Sequence, residues 1–218
     1  MVLGLIGTFA IAFLLGSIPW GVVIGKLFFH TDIRESGSGN IGTTNAMRVI
    51  GKKGGAAVFV LDFGKGLLSG WIATLIGGAC LSGNSAGFDW VTMREFLALS
   101  FIGCIGGHIY SPWLGFHGGK GIAVAVGCLF FVFGALGACI ELAIFSVLVV
   151  ATRYVSVGSI AAAIACPFIA LYYYWGDPFA WALITLSAFL VFHAHRENIK
   201  RLREGNESRI GDKNKNSA

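Results

Sequence analysis

Charged residues are scarce in this sequence. Only 12% of its 218 residues are Asp, Glu, Lys or Arg, whereas soluble domains carry about 25%. Hydrophobic residues make up 56% of the chain, and apolar runs of about 20 residues recur along nearly its whole length. This composition excludes a sizeable soluble domain and predicts a single integral membrane domain over residues 1–218.

Paired cysteines and basic leader residues are also lacking. The five cysteines lie in or at the end of apolar runs, without metal-ligand spacing, at Cys80, Cys104, Cys128, Cys139 and Cys166. We therefore expect no disulfide, no metal site and no cofactor. No basic segment precedes the apolar run that begins at Val2, which predicts a retained first helix instead of a cleaved signal peptide.

The apolar runs predict an all-α polytopic membrane protein. They cover residues 3–28, 54–81, 95–110, 122–151, 155–175 and 177–193. A single helix over 122–151 would reach about 45 Å and overshoot a hydrocarbon core of about 30 Å. Two shorter helices that turn near Gly134 to Gly137 would each be somewhat short for a bilayer. The positive-inside rule decides for two, because a single helix would place the most basic segment outside. About seven transmembrane helices are therefore predicted, with five or six as alternatives.

The distribution of positive charge predicts the topology. Lys and Arg concentrate in residues 34–53, at Lys120 and Arg153, and in a basic tail over residues 196–218, whereas the loops 82–95 and 175–178 contain only Arg94. The positive-inside rule then places the basic segments in the cytoplasm. This arrangement requires an odd number of helices, an outside N-terminus and a cytoplasmic C-terminus.

The first polar segment, residues 36–48, is called here the first island. Glycines, Ser, Thr and Asn crowd together there and end at Arg48, a composition suited to hold a phosphate group. Gly37, Gly39 and Gly42 also match a dinucleotide-binding fingerprint, but no strand is predicted before them. An ordinary polar surface loop is the other alternative.

The second island, residues 111–121, places glycines around Lys120, which again suits an anion. It is not a P-loop, because Gly121 stands where the Mg²⁺-binding Ser or Thr would be. The third island, residues 193–202, carries His195 and Asn198 on one helix face. The basic residues that follow Asn198 are equally typical of lipid-headgroup anchors. The topology places all three islands on one side of the membrane.

Two charged residues interrupt the second apolar run. Asp62 and Lys65 are three residues apart and share a helix face, so they can pair. Charges inside the membrane face the bundle interior, where they are either functional or form a structural ion pair. The sequence leaves both roles open.

The three islands together resemble the bacterial acyl-phosphate:glycerol-3-phosphate acyltransferases. The resemblance rests on the segments 37–48, 107–121 and 195–202, in that order between membrane spans, and it covers nearly the whole chain. The chain departs from the family pattern at Thr43 and Thr44, one of which is often Ala in the family.

The resemblance implies transfer of a fatty acyl group from acyl phosphate to the 1-hydroxyl of glycerol 3-phosphate, the first step of phospholipid synthesis, at the cytoplasmic side of the bacterial plasma membrane. It assigns catalytic roles to Ser38, Arg48, Lys120, His195 and Asn198. The binding residues that it implies, beyond those five, are Gly39, Asn40, Gly42, Thr43, Thr44, Asn45, Gly118, Gly119, Gly121 and Glu197. The expected partners are the two substrates, the lipid bilayer and the enzyme that supplies acyl phosphate, with no nucleic acid.

Acyl phosphate is already activated, so direct transfer without an acyl-enzyme is expected. The proton acceptor remains open between His195, Glu197 and a phosphate oxygen of the substrates, which we favour. Backbone N–H groups of residues 39–43 and 118–121 are expected to stabilise the acyl-phosphate oxygens in the transition state. Residues His30, His108 and His117 are expected to be structural. A transporter or channel for a small anion is the non-enzyme alternative.

Overall fold

The computed structural model describes residues 1–82 and 91–212, and all regular secondary structure in these residues is helical. Most of the predicted outer loop over 82–92 and the end of the basic tail lie outside the described residues. Ten α-helices occur in the described part, with ranges Val2–Ser17 (α1), Trp20–Phe29 (α2), Thr43–Val49 (α3), Gly51–Ser82 (α4), Met93–Ile109 (α5), Ile122–Val132 (α6), Gly134–Thr152 (α7), Val155–Tyr173 (α8), Pro178–Ala194 (α9) and Arg196–Arg203 (α10).

The all-α membrane architecture is confirmed. Within the described ranges, five helical segments are long and apolar enough to cross a bilayer, namely Val2–Phe29, Gly51–Ser82, Met93–Leu114, Gly134–Thr152 and Val155–Tyr173. Helices α9 and α10 form a sixth candidate, which bends by 48° at His195. Helix α6 has 11 residues and a length of about 16 Å, which is too short to cross alone.

The long apolar run over 122–151 forms two helices, as predicted. Phe133 separates α6 from α7, and Gly134 adopts a φ of +67° in the left-handed region. Glycine has no Cβ to clash there, so the chain can reverse within one residue. The break therefore falls at the first residue of the predicted turn region.

Side-chain caps fix where two of the spans begin. The Thr92 hydroxyl accepts the Arg94 N–H, and the Glu95 carboxylate accepts the Thr92 N–H at 2.6 Å, which together cap α5. The Asp177 carboxylate accepts the Ala180 N–H at 3.0 Å, and Pro178 occupies the first position of α9.

Helix α5 is the centre of the bundle. It packs against α1, α4, α6 and α9, and most of its residues are buried. At Gly107 an added Cβ would overlap the Phe13 carbonyl oxygen of α1, so only glycine permits this approach. The second island follows α5 directly and is therefore carried by the most enclosed helix of the bundle.

Candidate active site

Asn45 organises the first island from within. Its side chain is 2% exposed, and Nδ2 donates to the Ile33 carbonyl at 2.7 Å and to the Ser36 carbonyl at 3.2 Å. Its Oδ1 accepts the Ser38 N–H at 2.8 Å. Gly37 and Gly39 take positive φ values of 66° and 69° on either side of Ser38. One buried amide thus holds the loop in the shape that presents Ser38 at the surface.

The rest of the first island leads into α3. Asn40 Oδ1 accepts the Gly42 N–H at 2.8 Å, which turns the chain into the helix. Thr43 and Thr44 form the first turn of α3, and Arg48 lies half-buried in its last turn. A Cβ on Gly37 would lie 3.5 Å from a Val49 methyl group, so the last turn of the short helix lies beside the loop that carries Ser38.

The second island is attached to α5 through its backbone. The Gly118 N–H donates to the Ile109 carbonyl at 2.9 Å, and the Gly119 N–H donates to the His108 carbonyl at 3.0 Å. The His108 ring occupies the space that a Cβ on Gly119 would need. These contacts fix the segment just before Lys120, which is half-buried.

His108 connects the second island to the buried charge pair. Lys65 Nζ lies 2.9 Å from Asp62 Oδ1, which confirms the predicted pairing, and both side chains are buried. The same Nζ donates to the Ile18 carbonyl at 2.8 Å and lies 3.0 Å from His108 Nδ1. Because an ammonium group has only donors, His108 accepts through Nδ1. The pair therefore braces the ring on which Gly119 rests.

The pKa of Lys120 reports how the islands come together. Burial is the main cause that lowers it, to about 8, and the guanidinium groups of Arg201 and Arg48 lower it further, whereas the Glu207 carboxylate raises it. These neighbours come from the first island and from the third island with the tail that follows it. Lys120 thus lies where all three polar segments converge, in an excess of positive charge.

His195 stands at the bend between α9 and α10 and is buried. Its Nδ1 lies 2.7 Å from the Val191 carbonyl oxygen, which can only accept, so Nδ1 carries the hydrogen and Nε2 is left as an acceptor in the neutral ring. Burial is the main cause that lowers the pKa of His195 to about 4, and Lys120 contributes. The ring is therefore neutral at physiological pH.

Asn198 lies one helical turn after His195 and is held by a residue that the sequence analysis did not identify. Its Nδ2 donates to Glu207 Oε1 at 2.7 Å, and Arg201 Nε donates to Glu207 Oε2 at 2.7 Å. Asn198 Oδ1 is buried and has no hydrogen-bond partner in the described part of the chain. An acceptor is thus available next to the groups around Lys120.

The tail after α10 folds back to deliver Glu207. The Ile210 N–H donates to the Arg153 carbonyl at 2.8 Å, and the Arg153 guanidinium donates to the Ile210 carbonyl. Arg209 Nε donates to the Tyr154 hydroxyl at 2.9 Å. Glu207 is one of four acidic residues in the basic tail, with Glu197, Glu204 and Asp212, so no sequence signal singled it out for this role.

The predicted site residues fall into groups. Arg48, Lys120 and His195 converge, and Asn198 joins them through Glu207. Glu197 is exposed on α10 and lies apart from the buried face that carries Asn198. His117 Nδ1 contacts the Gly115 carbonyl at 2.6 Å, consistent with the structural role expected for it.

The structure narrows the expected set of backbone donors. The N–H groups of Ser38, Gly39, Gly42, Gly118 and Gly119 are all used in bonds that shape the loops. The N–H groups of Lys120 and Gly121 make no hydrogen bond within residues 1–82 and 91–212. The N–H groups of Asn40, Ile41 and Thr43 likewise make no hydrogen bond in the described ranges, so donors remain in both of the segments, 39–43 and 118–121, where they are expected.

The geometry defines a helical membrane protein with a basic site at one end of the bundle, and comparisons with known proteins identify its family. The family model "Glycerol-3-phosphate acyltransferase" matches residues 6–205. Relatives of that name include a protein of Anaeromyxobacter sp. (strain Fw109-5), 39% identical over 96% of this chain and 97% of its own length, and one of Thermosynechococcus vestitus, 40% identical over 97% of this chain and 96% of its own.

Solved structures of a glycerol 3-phosphate acyltransferase also resemble this chain. A crystal structure of PlsY (YgiH), an integral membrane glycerol 3-phosphate acyltransferase, in its glycerol 3-phosphate form has a TM-score of 0.78 and 34% identity, covering 95% of this chain and 96% of that chain. The lysophosphatidic acid form of PlsY has a TM-score of 0.75 and 33% identity, with 95% of each chain covered. The chain belongs to the glycerol-3-phosphate acyltransferase family and is an integral membrane acyltransferase. The transporter alternative is not favoured.

Proposed function

We propose that the chain transfers a fatty acyl group from acyl phosphate to the 1-hydroxyl of glycerol 3-phosphate, at the cytoplasmic face of the bacterial plasma membrane. Acyl transfer to glycerol 3-phosphate follows from the family. The donor, the side of the membrane and the roles of individual residues are the parts that we propose. The observation that carries the proposal is the cluster of cations and neutral polar groups around Lys120.

The cluster suits two phosphate-bearing substrates. Lys120, Arg48 and Arg201 place three positive charges close together, with Glu207 as the nearby carboxylate. Such an excess of positive charge disfavours the apo site but is neutralised when two anions bind. We assign Arg48, Lys120 and the hydroxyl of Ser38 to the phosphate groups, and the free N–H groups of Lys120 and Gly121 to the developing oxyanion.

The neutral groups suit the glycerol moiety. His195 offers Nε2 as an acceptor and Asn198 offers Oδ1, so both can accept hydrogen bonds from the glycerol hydroxyls. In the reaction, the 1-hydroxyl oxygen attacks the acyl carbonyl carbon and the bond to the phosphate oxygen breaks. The hydroxyl proton passes to a phosphate oxygen, which leaves lysophosphatidic acid and inorganic phosphate. His195 orients the hydroxyl in this scheme, and no acyl-enzyme forms.

The site leaves little room for a large donor. Coenzyme A would need additional basic contacts for its adenosine 3′-phosphate, and an acyl carrier protein would need a docking face. The segments that surround Lys120 are short. They consist of residues 30–50, which include α3, of residues 110–121 and of the tail. We therefore expect acyl phosphate to be the one efficient donor.

Turnover by purified protein tests the donor. With acyl phosphate and glycerol 3-phosphate alone, we expect lysophosphatidic acid and phosphate to form, without added metal or nucleotide. Excess inorganic phosphate should inhibit by occupying the same cationic cluster. Comparable turnover with acyl-coenzyme A or acyl carrier protein, or loss of activity in a chelator, would contradict this assignment.

Cysteine labelling tests the topology. In a variant without the native cysteines, Ser38→Cys should be protected from impermeant thiol reagents in intact cells, whereas a cysteine in residues 83–90 should react. An outside N-terminus requires this pattern, because one candidate span, Val2–Phe29, precedes Ser38 and a second, Gly51–Ser82, lies between Ser38 and residues 83–90. Labelling of Ser38→Cys from outside would invert the proposed orientation.

A further inference from the structure

Helix α10 has two faces that differ in their contacts. Asn198 and Arg201 lie on the inner face, where both side chains donate to the Glu207 carboxylate beside the active site. Residues three, four or seven apart share one face of a helix. By this spacing the opposite, outer face carries Arg196, Ile199, Lys200 and Arg203. The three cations of the outer face are exposed, and this face points away from Glu207.

An open groove runs along the outer face. Its volume is about 330 Å³, within the range of about 300–1,000 Å³ that is usual for sites of small ligands. Three cations, one carboxylate and one apolar side chain line it, namely Arg196, Lys200, Arg203, Glu204 and Ile199. The net charge of the lining is therefore positive, which favours an anionic ligand.

The cations of the groove have no acidic partner in the described part of the chain. Within residues 1–82 and 91–212, Arg196, Lys200 and Arg203 form no salt bridge, whereas Arg201 on the inner face lies 2.7 Å from Glu207. Arg196 Nη1 lies 3.5 Å from the His193 carbonyl oxygen, which is long for a hydrogen bond. The charges of the outer face are thus available to a ligand from outside the chain.

The course of α9 indicates where the groove lies relative to the bilayer. Helices α5 and α8 pack against one side of α9, and exposed apolar residues such as Phe189 and Phe192 lie on the other side, where they face lipid. Arg196 follows Phe192 by four residues, and Lys200 and Arg203 continue the same row at intervals of four and three. The lipid-facing row of α9 therefore changes from apolar to basic where α10 begins.

A lipid-facing row that changes from apolar to basic marks the level of the headgroups. Long basic side chains keep their stems on apolar surface at this level while the charge reaches the polar layer, and Ile199 provides such a surface, partly buried among the cations. Anionic phospholipids attract basic residues that lie next to the membrane. The groove is therefore placed to hold the phosphate of a lipid in the surrounding leaflet.

We propose that the outer face of α10 binds the headgroup of an anionic phospholipid and thereby restrains the helix that carries Asn198 on its inner face. Helix α10 has only eight residues, so a ligand that holds one face also limits the movement of the other. The lipid site itself does not depend on the reaction. Its effect on substrate binding rests on the proposed role of Asn198 in holding glycerol 3-phosphate.

Lipid titration of the purified protein tests the site without any substrate. The unfolding temperature in detergent is measured as phosphatidylglycerol or the neutral phosphatidylcholine is added, and phosphatidylglycerol should raise it more. The variant Lys200→Gln/Arg203→Gln leaves Arg196, the neighbour of His195, unchanged. Half of the rise should then require roughly thirtyfold more phosphatidylglycerol, because each cation near an anionic lipid surface strengthens binding by about fivefold.

The matched control is Lys52→Gln/Lys53→Gln, which removes two exposed cations at the start of α4 and should respond to phosphatidylglycerol as the wild-type protein does. Equal responses of the wild-type protein to the two lipids, or a wild-type response in Lys200→Gln/Arg203→Gln, would overturn the proposal and leave an acidic protein as the alternative occupant. An equal loss in the control would overturn it too, because the effect would then follow total charge.

Inorganic phosphate distinguishes a lipid from a free anion. Phosphate should bind at the cluster around Lys120 and stabilise the wild-type protein and Lys200→Gln/Arg203→Gln equally. Loss of this stabilisation in the double variant would assign the groove to a soluble anion, which contradicts the proposal.

Kinetics in nanodiscs test the link to the active site. The KM for glycerol 3-phosphate is measured in phosphatidylcholine and in an equal mixture with phosphatidylglycerol, whose negative surface repels this substrate from every variant alike. The ratio of KM in the mixture to KM in phosphatidylcholine should be about fivefold lower for the wild-type protein than for Lys200→Gln/Arg203→Gln, the low end of coupling between sites. Equal ratios would refute the link to Asn198. A wrong donor assignment would abolish turnover in all proteins, whereas the lipid titration would still report on the groove.

Discussion

The first and second islands are both loops with a fixed shape, but different contacts stabilise them. In the first, the Asn45 amide makes three hydrogen bonds to the backbone of its own loop. In the second, the loop rests on the end of α5 and on His108, which a buried ion pair braces. The first island is thus stabilised locally, and the second depends on packing between distant parts of the chain.

This difference predicts how far the structural effect of a substitution should spread from each island. A change in the first island should alter one loop, whereas a change beneath the second should disturb α1, α4 and α5 together. The cations that the islands present, Arg48 and Lys120, should nevertheless matter to a similar degree, because both face the same cluster.

The largest effects are expected when those cations are removed. Arg48→Ala and Lys120→Ala should each lower kcat/KM by roughly a hundred- to a thousandfold, the usual effect of losing a charge-stabilising group from an active site. Thermal stability in detergent should be unchanged or raised, because each variant relieves repulsion. Near-normal kinetics in both variants would show that the cluster does not bind the substrates.

Loss of the buried ion pair that supports the second island should have the next largest effect. Lys65→Met leaves Asp62, the Ile18 carbonyl and His108 Nδ1 without their donor, and breaking a buried pair in this way costs about 3–5 kcal/mol. We expect a large loss of thermal stability in detergent, with lower activity in the protein that remains folded. The matched variant Asp62→Leu/Lys65→Leu should be more stable than Lys65→Met, because no buried charge is left unpaired. A double variant as unstable as the single one would argue against the ion pair as the support.

A change in the local support of the first island should have a smaller effect. Asn45→Ala removes three hydrogen bonds, and because the loop is largely exposed and water can replace part of them, we expect a loss of about 2 kcal/mol in stability. Glycerol 3-phosphate should bind more weakly, since Ser38 is no longer held in place. The exposed Glu35→Ala, in the segment just before the island, serves as the control. Wild-type KM in Asn45→Ala would show that the loop keeps its shape without the amide.

The same contrast explains what could be predicted from sequence. The first island could be predicted because its Gly, Ser and Asn residues act on neighbours in the chain. The helical pair over 122–151 could be predicted from the length of the run together with the distribution of positive charge. The contact of Lys65 with His108 joins residues 43 positions apart, and Glu207 reaches Asn198 only because the tail folds back on Arg153 and Tyr154. Local patterns carry no information on such contacts.

The smallest predicted effect separates the two cations by pH. The pKa of Lys120 is lowered to about 8, mainly by burial. The side chain therefore carries a positive charge below that pH and loses the charge above it. Phosphate monoesters have a second pKa of about 6, so the charge of glycerol 3-phosphate is constant over this range. We therefore expect kcat/KM for glycerol 3-phosphate to decline on a limb centred near pH 8, with roughly a tenfold loss one unit above it.

Lys120→Arg is the decisive comparison for this limb. An arginine guanidinium stays charged throughout the range, so the decline should disappear in this variant even where its activity at neutral pH is lower. Because bound phosphate stabilises the ammonium form, the limb in kcat should lie at higher pH than the limb in kcat/KM for the wild-type protein. A limb near pH 8 that persists in Lys120→Arg would belong to another group and would remove the evidence that Lys120 titrates as a substrate-binding cation.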